Sequence, residues 1–276
     1  MAEILINFLV ILGIIGLIIA TLNDLKKREV PDWLNFSLIV IALASRLLYS
    51  LTAGNLSFIL YGLIYFGIFL VLAYAFYYAR IFAGGDSKLL MAMGAVFASP
   101  PFNSFSFIFS IPFPILILIN LLFVGAVYGL LYSLYLAYKN RREFSREFKK
   151  FKKSAVVWPY LFLGLIFVAV SFLIKSYIFI IPAALIVLIP YIYSSIKAVE
   201  RGALIKSISP SELTVGDWLA QEIKVGKIKL VPRWEGLSKE QIALLVRRKK
   251  KVLVKYGIPF VPAFLAAVIL SLLLVL

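Results

Sequence analysis

Asp24 and Asp86 are the residues of this chain whose type and setting best fit chemistry. Asp86 lies in Phe82-Ala83-Gly84-Gly85-Asp86-Ser87-Lys88-Leu89-Leu90, where an acid, a base and a glycine pair interrupt two long apolar runs. Asp24 closes the first apolar run, just before Lys26, Lys27 and Arg28. Ionisable groups in or beside a bilayer are costly, so those retained there are functional candidates by default. Two neighbouring carboxylates do not easily ionise together; they share a proton and titrate as a pair. One is then a base for water and the other an acid for a carbonyl or leaving amine, chemistry that needs no His, Cys or metal. Which acid takes which role stays open, because the roles can alternate. Each also has a purely structural reading. Asp86 before a helix is a good N-cap. Asp24 can pair with Lys27 or Arg28, although it sits at a helix C-terminus, where the dipole disfavours an anion.

The elements that must position this pair are set by composition. The chain has 276 residues, of which 63% are hydrophobic and only 15% charged, and its mean hydropathy is +1.00. Soluble domains carry roughly 45–50% apolar residues, so this composition describes a polytopic membrane protein. Zero Cys excludes a disulfide framework, a thiolate nucleophile and a cysteine zinc site, and zero His removes the commonest metal ligand and general base. The net charge of +16 would suggest nucleic acid in a soluble protein; here it reads as membrane topology, and no nucleic-acid partner is expected.

Taken in order, residues 4–22 form a first span with no basic stretch ahead of it, which reads as an anchor and not a cleaved signal peptide. Pro31 stops the chain in a polar turn over 23–32. Spans follow at 33–51, carrying Arg46, and at 56–79. Residues 87–98 are short for a crossing of about 30 Å, and their helix can begin at the glycine loop itself. Ser99-Pro100-Pro101 ends it. The run 105–138 contains Pro112 and Pro114, predicting a kink or a late start. Two further spans are expected at 158–174 and 177–193, and a last one at 258–276. The fold class is an all-α polytopic membrane protein of about six to eight transmembrane helices with a small α+β cytosolic subdomain. Residues 1–193 form the helical domain holding both acids, 194–257 the subdomain and 258–276 the final span. In the subdomain, Lys224–Val231 alternates around Gly226 as strand material. Ser238 with Gln241 makes a capping box for a helix from Lys239 to about Lys251.

Charge orients this scheme. With eight crossings and the N-terminus outside, the loops 23–32, 80–88, 139–157 and 194–257 face inward and hold 27 of the 29 Lys and Arg residues. Basic residues collect on the cytoplasmic side, so both acids are expected at the cytoplasmic surface of the plasma membrane.

The segment from Phe82 to Ala95 resembles the GxGD loop of the type IV prepilin and archaeal preflagellin (prearchaellin) peptidases. Asn23-Asp24-Leu25-Lys26-Lys27-Arg28-Glu29-Val30-Pro31-Asp32-Trp33-Leu34 resembles their other catalytic segment. Three later blocks resemble the archaeal branch: Glu212 to Leu219, Gly236 to Ile242 and Gly257 to Leu265. The resemblance implies that Asp24 and Asp86 are catalytic, that Gly84 and Gly85 shape the loop, and that Lys88 holds a usually basic position. It implies an aspartic endopeptidase that removes short basic leader peptides from preflagellins or pilin-like precursors, with no cofactor and no metal. The chain departs from the pattern at Ala83, where the motif has its first Gly. It lacks the Cys tetrad of many bacterial relatives, so neither a zinc-linked domain nor N-methyltransferase activity is expected. Its hairpin at 158–193 exceeds the six-span archaeal pattern.

Lys27, with Lys26 and Arg28, reads first as enforcing topology, the alternative being to tune the pair or meet anionic lipid headgroups. Glu29 and Asp32 read first as solvated loop charges, the alternative, implied by the resemblance, being to receive the basic stretch of a substrate. Arg46 is expected to snorkel or pair within the bundle, and the basic runs at 139–153 and 247–251 fit anionic lipid. Two other functions remain: an intramembrane protease of the presenilin or signal-peptide-peptidase kind, whose first Asp usually follows Tyr where this chain has Asn23, and a transporter or scaffold whose acids bind a cation or cap helices.

Overall fold

A computed structural model of the chain describes residues 2–99, 111–152, 157–226, 228–233 and 236–275, apart from the side chains of 151 and 152. The expected Pro100-Pro101 break and the start of the 105–138 run lie outside these. The chain divides into two compact units, Met1–Leu130 with Pro259–Leu276, and Leu131–Ile258.

The first unit is a helical bundle of α1 (Ala2–Lys27), α2 (Asp32–Ala53), α3 (Ser57–Tyr78), α4 (Gly84–Val96), the first part of α5 (Phe113–Lys139) and α10 (Val261–Val275). Arg28 takes a left-handed conformation (φ 59°) after α1, and Pro31 immediately precedes α2, so the expected break between the first two spans stands where the sequence places it. Helices α1, α2, α3 and α5 are long and apolar enough to cross a membrane, and their outer faces expose Ile11, Ile15, Val40, Leu60, Val71 and Phe123. Together with the segment Tyr177–Leu204 they make five such spans among the described residues, with shorter apolar helices at Val157–Leu173 and Val261–Val275. The protein is a polytopic membrane protein built of helices, with a small region containing strands.

Helix α4 is not among those spans. Its 13 residues reach about 20 Å, against about 30 Å of hydrocarbon, and it is packed inside the bundle: Leu89, Leu90, Ala92, Met93, Ala95 and Val96 are all buried. Small residues bring its backbone close to its neighbours, as membrane helices require in the absence of a strong hydrophobic drive. A Cβ on Gly94 would sit 2.6 Å from Phe69 Cβ and 2.7 Å from the Tyr65 carbonyl oxygen of α3. The end of α4 is satisfied by Arg46 of α2, which is 1% exposed. Its Nε donates to the Ala95 oxygen (3.2 Å), Nη2 to the Val96 oxygen (3.2 Å) and Nη1 to Ser99 Oγ (3.0 Å). The expected snorkelling or pairing is thus replaced by capping, because a helix ending inside the bundle leaves carbonyls that need a donor. Helix α5 starts at Phe113, between Pro112 and Pro114, the late start that those prolines predict. Asn120 of α5 donates to Ser271 Oγ of α10 at 2.8 Å.

The second unit contains the end of α5, α6 (Arg141–Lys152), α7 (Val157–Leu173), α8 (Ile180–Val199), α9 (Lys239–Arg247) and five short strands, β1 (Ile205–Ile208), β2 (Trp218–Leu219), β3 (Ile223–Val225), β4 (Ile228–Leu230) and β5 (Val252–Lys255). The basic 139–153 stretch is largely α6, which turns Phe144 and Phe148 inward as a stacked pair and leaves Arg141, Arg142, Arg146 and Lys149 exposed. Helices α7 and α8 form the expected hairpin. One antiparallel sheet has the order β1-β5-β2, and β3-β4 is a separate hairpin turning at Gly226 (φ 63°). Ile208, Leu219, Val225, Leu245, Val252 and Val254 bury together. The capping box forms as expected: Gln241 N–H donates to Ser238 Oγ, and Ser238 N–H to Gln241 Oε1. Helix α9 stops at Arg247, short of the expected 251, because Lys249 turns left-handed (φ 48°) and the chain enters β5. The blocks around Gly216 and Gly236 pair through Gly216 N–H to Leu237 O and Leu237 N–H to Asp217 O. Any Cβ on Gly236 would run into the Gly216 backbone.

Candidate active site

Asp24 lies in the last turn of α1 and is 5% exposed. An anion there opposes the dipole of its own helix, and the structure offsets this with a second helix. Asp24 Oδ2 accepts a hydrogen bond from the Val261 N–H at 2.9 Å. Val261 opens α10, so the carboxylate meets the free donors and the positive dipole end of that helix. Sequence reasoning missed this partner; the available signal is Pro259 and Pro262 bracketing the start of the last apolar run.

Asp86 is half-buried in the first turn of α4. It is the third helical residue, not the N-cap, which is Ala83. Its Oδ2 accepts the Ala83 N–H at 3.3 Å, one half of a capping box whose other half Ala83 has no side-chain oxygen to supply. Burial pushes the Asp86 carboxyl up to about 7; the charge of Asp24 pushes the same way, and the Ala83 hydrogen bond opposes both. The two acids, 62 residues apart in the chain, are therefore close enough to feel each other's charge.

The loop before Asp86 is fastened to the same end of α10. Phe82 is buried, with its ring 5.5 Å from those of Phe260 and Phe264 and 5.1 Å from Phe76. The first turn of α10 thus holds Asp24 by a backbone donor and the Asp86 loop by aromatic packing. On the other side, Gly85 meets Val30: a Cβ on Gly85 would lie 3.3 Å from both Val30 N and Val30 Cβ. Gly84 has more room, its nearest atom being in Tyr77 at 3.8 Å. Ala83 has φ −72° and ψ 166°, an extended conformation open to any L-residue, so its departure from the motif's glycine strains nothing.

Lys88 and Asp32 come together: Lys88 Nζ donates to both Asp32 oxygens, at 2.6 and 2.7 Å, and sits 5.9 Å from the Phe36 ring centre. Lys27 and Glu29 are exposed beside the turn after α1. Among the described residues no group of three or more carboxylates gathers as a metal ion would require.

Residues 11–134 match the Type IV leader peptidase family. The matched segment contains both aspartates, the glycine loop, Lys88 and the 23–34 turn; Val261 lies beyond it. The preflagellin peptidase of Methanococcus voltae is 32% identical over 136 residues, covering 47% of this chain and 56% of that protein. The preflagellin peptidase of Methanocaldococcus jannaschii is 29% identical over 127 residues, covering 43% and 52%, and that of Methanococcus maripaludis 31% over 120 residues, covering 41% and 52%. The chain thus spans about half the length of the curated relatives it matches. No solved structure matches it.

Proposed function

We propose that this protein is a membrane aspartic endopeptidase that removes leader peptides from preflagellins or related pilin-like precursors. The observation that carries this reading is that buried Asp24 and half-buried Asp86 lie close enough for the charge of one to raise the pKa of the other, inside a segment similar to the leader peptidases. A pair holding one proton has a carboxylate to take a proton from water and a carboxyl to protonate the scissile carbonyl and then the leaving amine. The Val261 N–H fixes the direction of the Asp24 oxygen, and the Ala83 N–H that of Asp86. Water adds to the carbonyl carbon as the carboxylate takes its proton and the carboxyl protonates the carbonyl oxygen. The C–N bond then breaks as the newly protonated acid gives its proton to the amine and the other takes one from a gem-diol hydroxyl, which leaves a carboxylic acid, a free amine and a pair again holding one proton.

The substrates have a short basic leader ahead of an apolar helix, which lies in the bilayer and presents its junction to the acids. Concentration of 27 of the 29 Lys and Arg residues in four connecting segments supports placing the acids at the cytoplasmic face of the plasma membrane. The test is cleavage of a preflagellin-type precursor by membranes carrying wild type, Asp24→Asn or Asp86→Asn, read as a gel shift. Wild type cuts and neither variant does, with all three inserted equally. Cutting by either variant at the wild-type rate would remove that acid from the mechanism.

A further inference from the structure

Among the described residues, Asn7, Thr21, Asn35 and Ser87 carry buried polar atoms with no hydrogen-bond partner, and the last three come from three different helices at one level of the bundle. Those three groups are Thr21 Oγ1 of α1, both amide atoms of Asn35 of α2, and Ser87 Oγ of α4. Asn35 is 0% and Ser87 4% exposed. The level is fixed by the apolar layer next to it. A Cβ on Gly16 of α1 would touch Leu38 Cδ1 at 2.8 Å, and Leu17, Leu38 and Leu89 line one small gap. Within about one turn of that layer, toward the aspartates, each helix places its unpaired group. Thr21 is one turn from Asp24, and Ser87 adjoins Asp86.

The helical phase agrees. Asn35 precedes Arg46 by 11 residues, about three turns, so both lie on one face of α2. Arg46 uses that face to reach Ala95 and Val96 at the end of α4. The two helices run in the same direction, as the Asp32–Lys88 pair at their starts shows, so Asn35 faces the first turns of α4.

Buried donors and acceptors are almost always paired, and an unpaired one is costly to folding. A fully buried Asn with neither its N–H2 nor its oxygen satisfied is a group held ready for something else. Its side chain is itself an amide, with a donor and an acceptor set as a peptide group needs them. We propose that Asn35, flanked by Ser87 and Thr21, binds the substrate's main chain beside the scissile bond, holding the otherwise helical segment extended over the aspartates. This deepens the peptidase reading and rests on it. Asn35 here is a binding and positioning residue, with the proton chemistry left to Asp24 and Asp86. The lid over this site is weak: Lys88 and Asp32 close α2 against α4 at the surface, and an exposed pair of this kind separates readily.

The test uses the full chain in lipid nanodiscs. A labelled synthetic precursor, with a basic leader followed by an apolar segment, is titrated against Asp86→Asn, which leaves it uncut. It is titrated in parallel against the same protein carrying Asn35→Leu or Ser87→Ala, and thermal midpoints are recorded for each. Asn35→Leu exchanges an unpaired amide for an apolar side chain of similar size, so its midpoint stays level or rises. Precursor affinity falls about tenfold or more, and in the active background KM rises more than kcat falls. Ser87→Ala, a smaller change, weakens binding in the same sense. Unchanged affinity in both variants overturns the proposal. A fall in kcat at unchanged affinity overturns it as well, by assigning these groups to the attacking water. Failure of the peptidase reading is a separate result: there, Asp86→Asn binds the precursor, and wild type binds it without cutting.

Discussion

The carboxylate of Asp24 and the backbone N–H of Val261, 237 residues apart in the chain, meet at 2.9 Å. This one bond joins the end of the first helix to the start of the last. It accounts for an acid at the C-terminal end of α1: the N-terminal donors of α10 supply the favourable partner that its own helix lacks. The C-terminal block around Gly257 to Leu265 then has a role in the site, although it lies outside the matched 11–134 segment.

Removing that donor tests the relationship. Val261→Pro deletes the N–H at the first helical position, where proline is tolerated, and also alters the buried side chain. Hydrogen bonds to charged groups contribute about 1.5–3 kcal/mol, so cleavage falls roughly 10- to 100-fold if the bond matters to the acid's placement. Val261→Ala keeps the N–H and loses only packing. Cleavage assays on the two variants at matched expression decide the matter: equal activities would deny the bond any part in catalysis.

The three loop positions before Asp86 separate by geometry. Gly85→Ala presses a Cβ against the Val30 backbone at 3.3 Å, displacing the loop that carries Asp86, so activity drops at least tenfold by the usual sensitivity of reactions to ångström-scale misplacement. Gly84→Ala meets nothing nearer than 3.8 Å and is mild. Ala83→Gly, which restores the motif, leaves activity within about twofold, since Ala83 is already in an extended conformation. Initial cleavage rates for the three, ranked in the order 85 below 84 below 83, are the expected outcome.

Much of this was legible in the sequence because the signals were local. Helix spans follow from apolar runs, Pro31 and Pro112 mark starts, and Ser238 with Gln241 marks α9. The two acids stood out because charge is scarce. What was not legible depends on helix-to-helix contact. Nothing near Arg46 announces that its partners are the carbonyls of Ala95 and Val96, because a helix that stops inside the bundle looks like any short apolar run. The end of α9 was overestimated for a related reason: Arg247 to Lys251 is good helical material, and the claim of β5 on β1 and β2 is visible only once the sheet exists. Lys88 and Asp32 were each singled out, but for other reasons than the ion pair they make.

Arg46 carries a stability prediction. Arg46→Leu leaves the last α4 carbonyls without donors inside the bundle, and loss of three hydrogen bonds from a charged group lowers stability by on the order of 3 kcal/mol or more. Arg46→Lys keeps a cation but only a single donor nitrogen, and falls between wild type and Arg46→Leu. Thermal midpoints in nanodiscs give the order wild type, Lys, Leu; an Arg46→Leu midpoint equal to wild type would show that α4 ends without needing a cap.

Asp86 makes both stability and turnover depend on pH, and the sign follows from its raised pKa. An unfolded chain ionises this carboxyl near roughly 4, whereas burial and the Asp24 charge hold it protonated in the folded protein to about 7. Wherever the folded state keeps a proton that the unfolded state has released, raising the pH favours unfolding. The contribution is whole below roughly pH 4, shrinks across the interval and is lost once pH passes about 7. Asp86→Asn cannot titrate, so its thermal midpoint varies less with pH over this range than that of wild type. Turnover in the wild type follows the same proton. On the proposed mechanism the pair works with one proton shared, so cleavage is expected to decline as pH rises through about 7 and that proton leaves. Midpoints of wild type and Asp86→Asn measured from pH 4 to 8, with cleavage rates alongside, test both limbs; two midpoint curves running parallel would remove Asp86 as the titrating group.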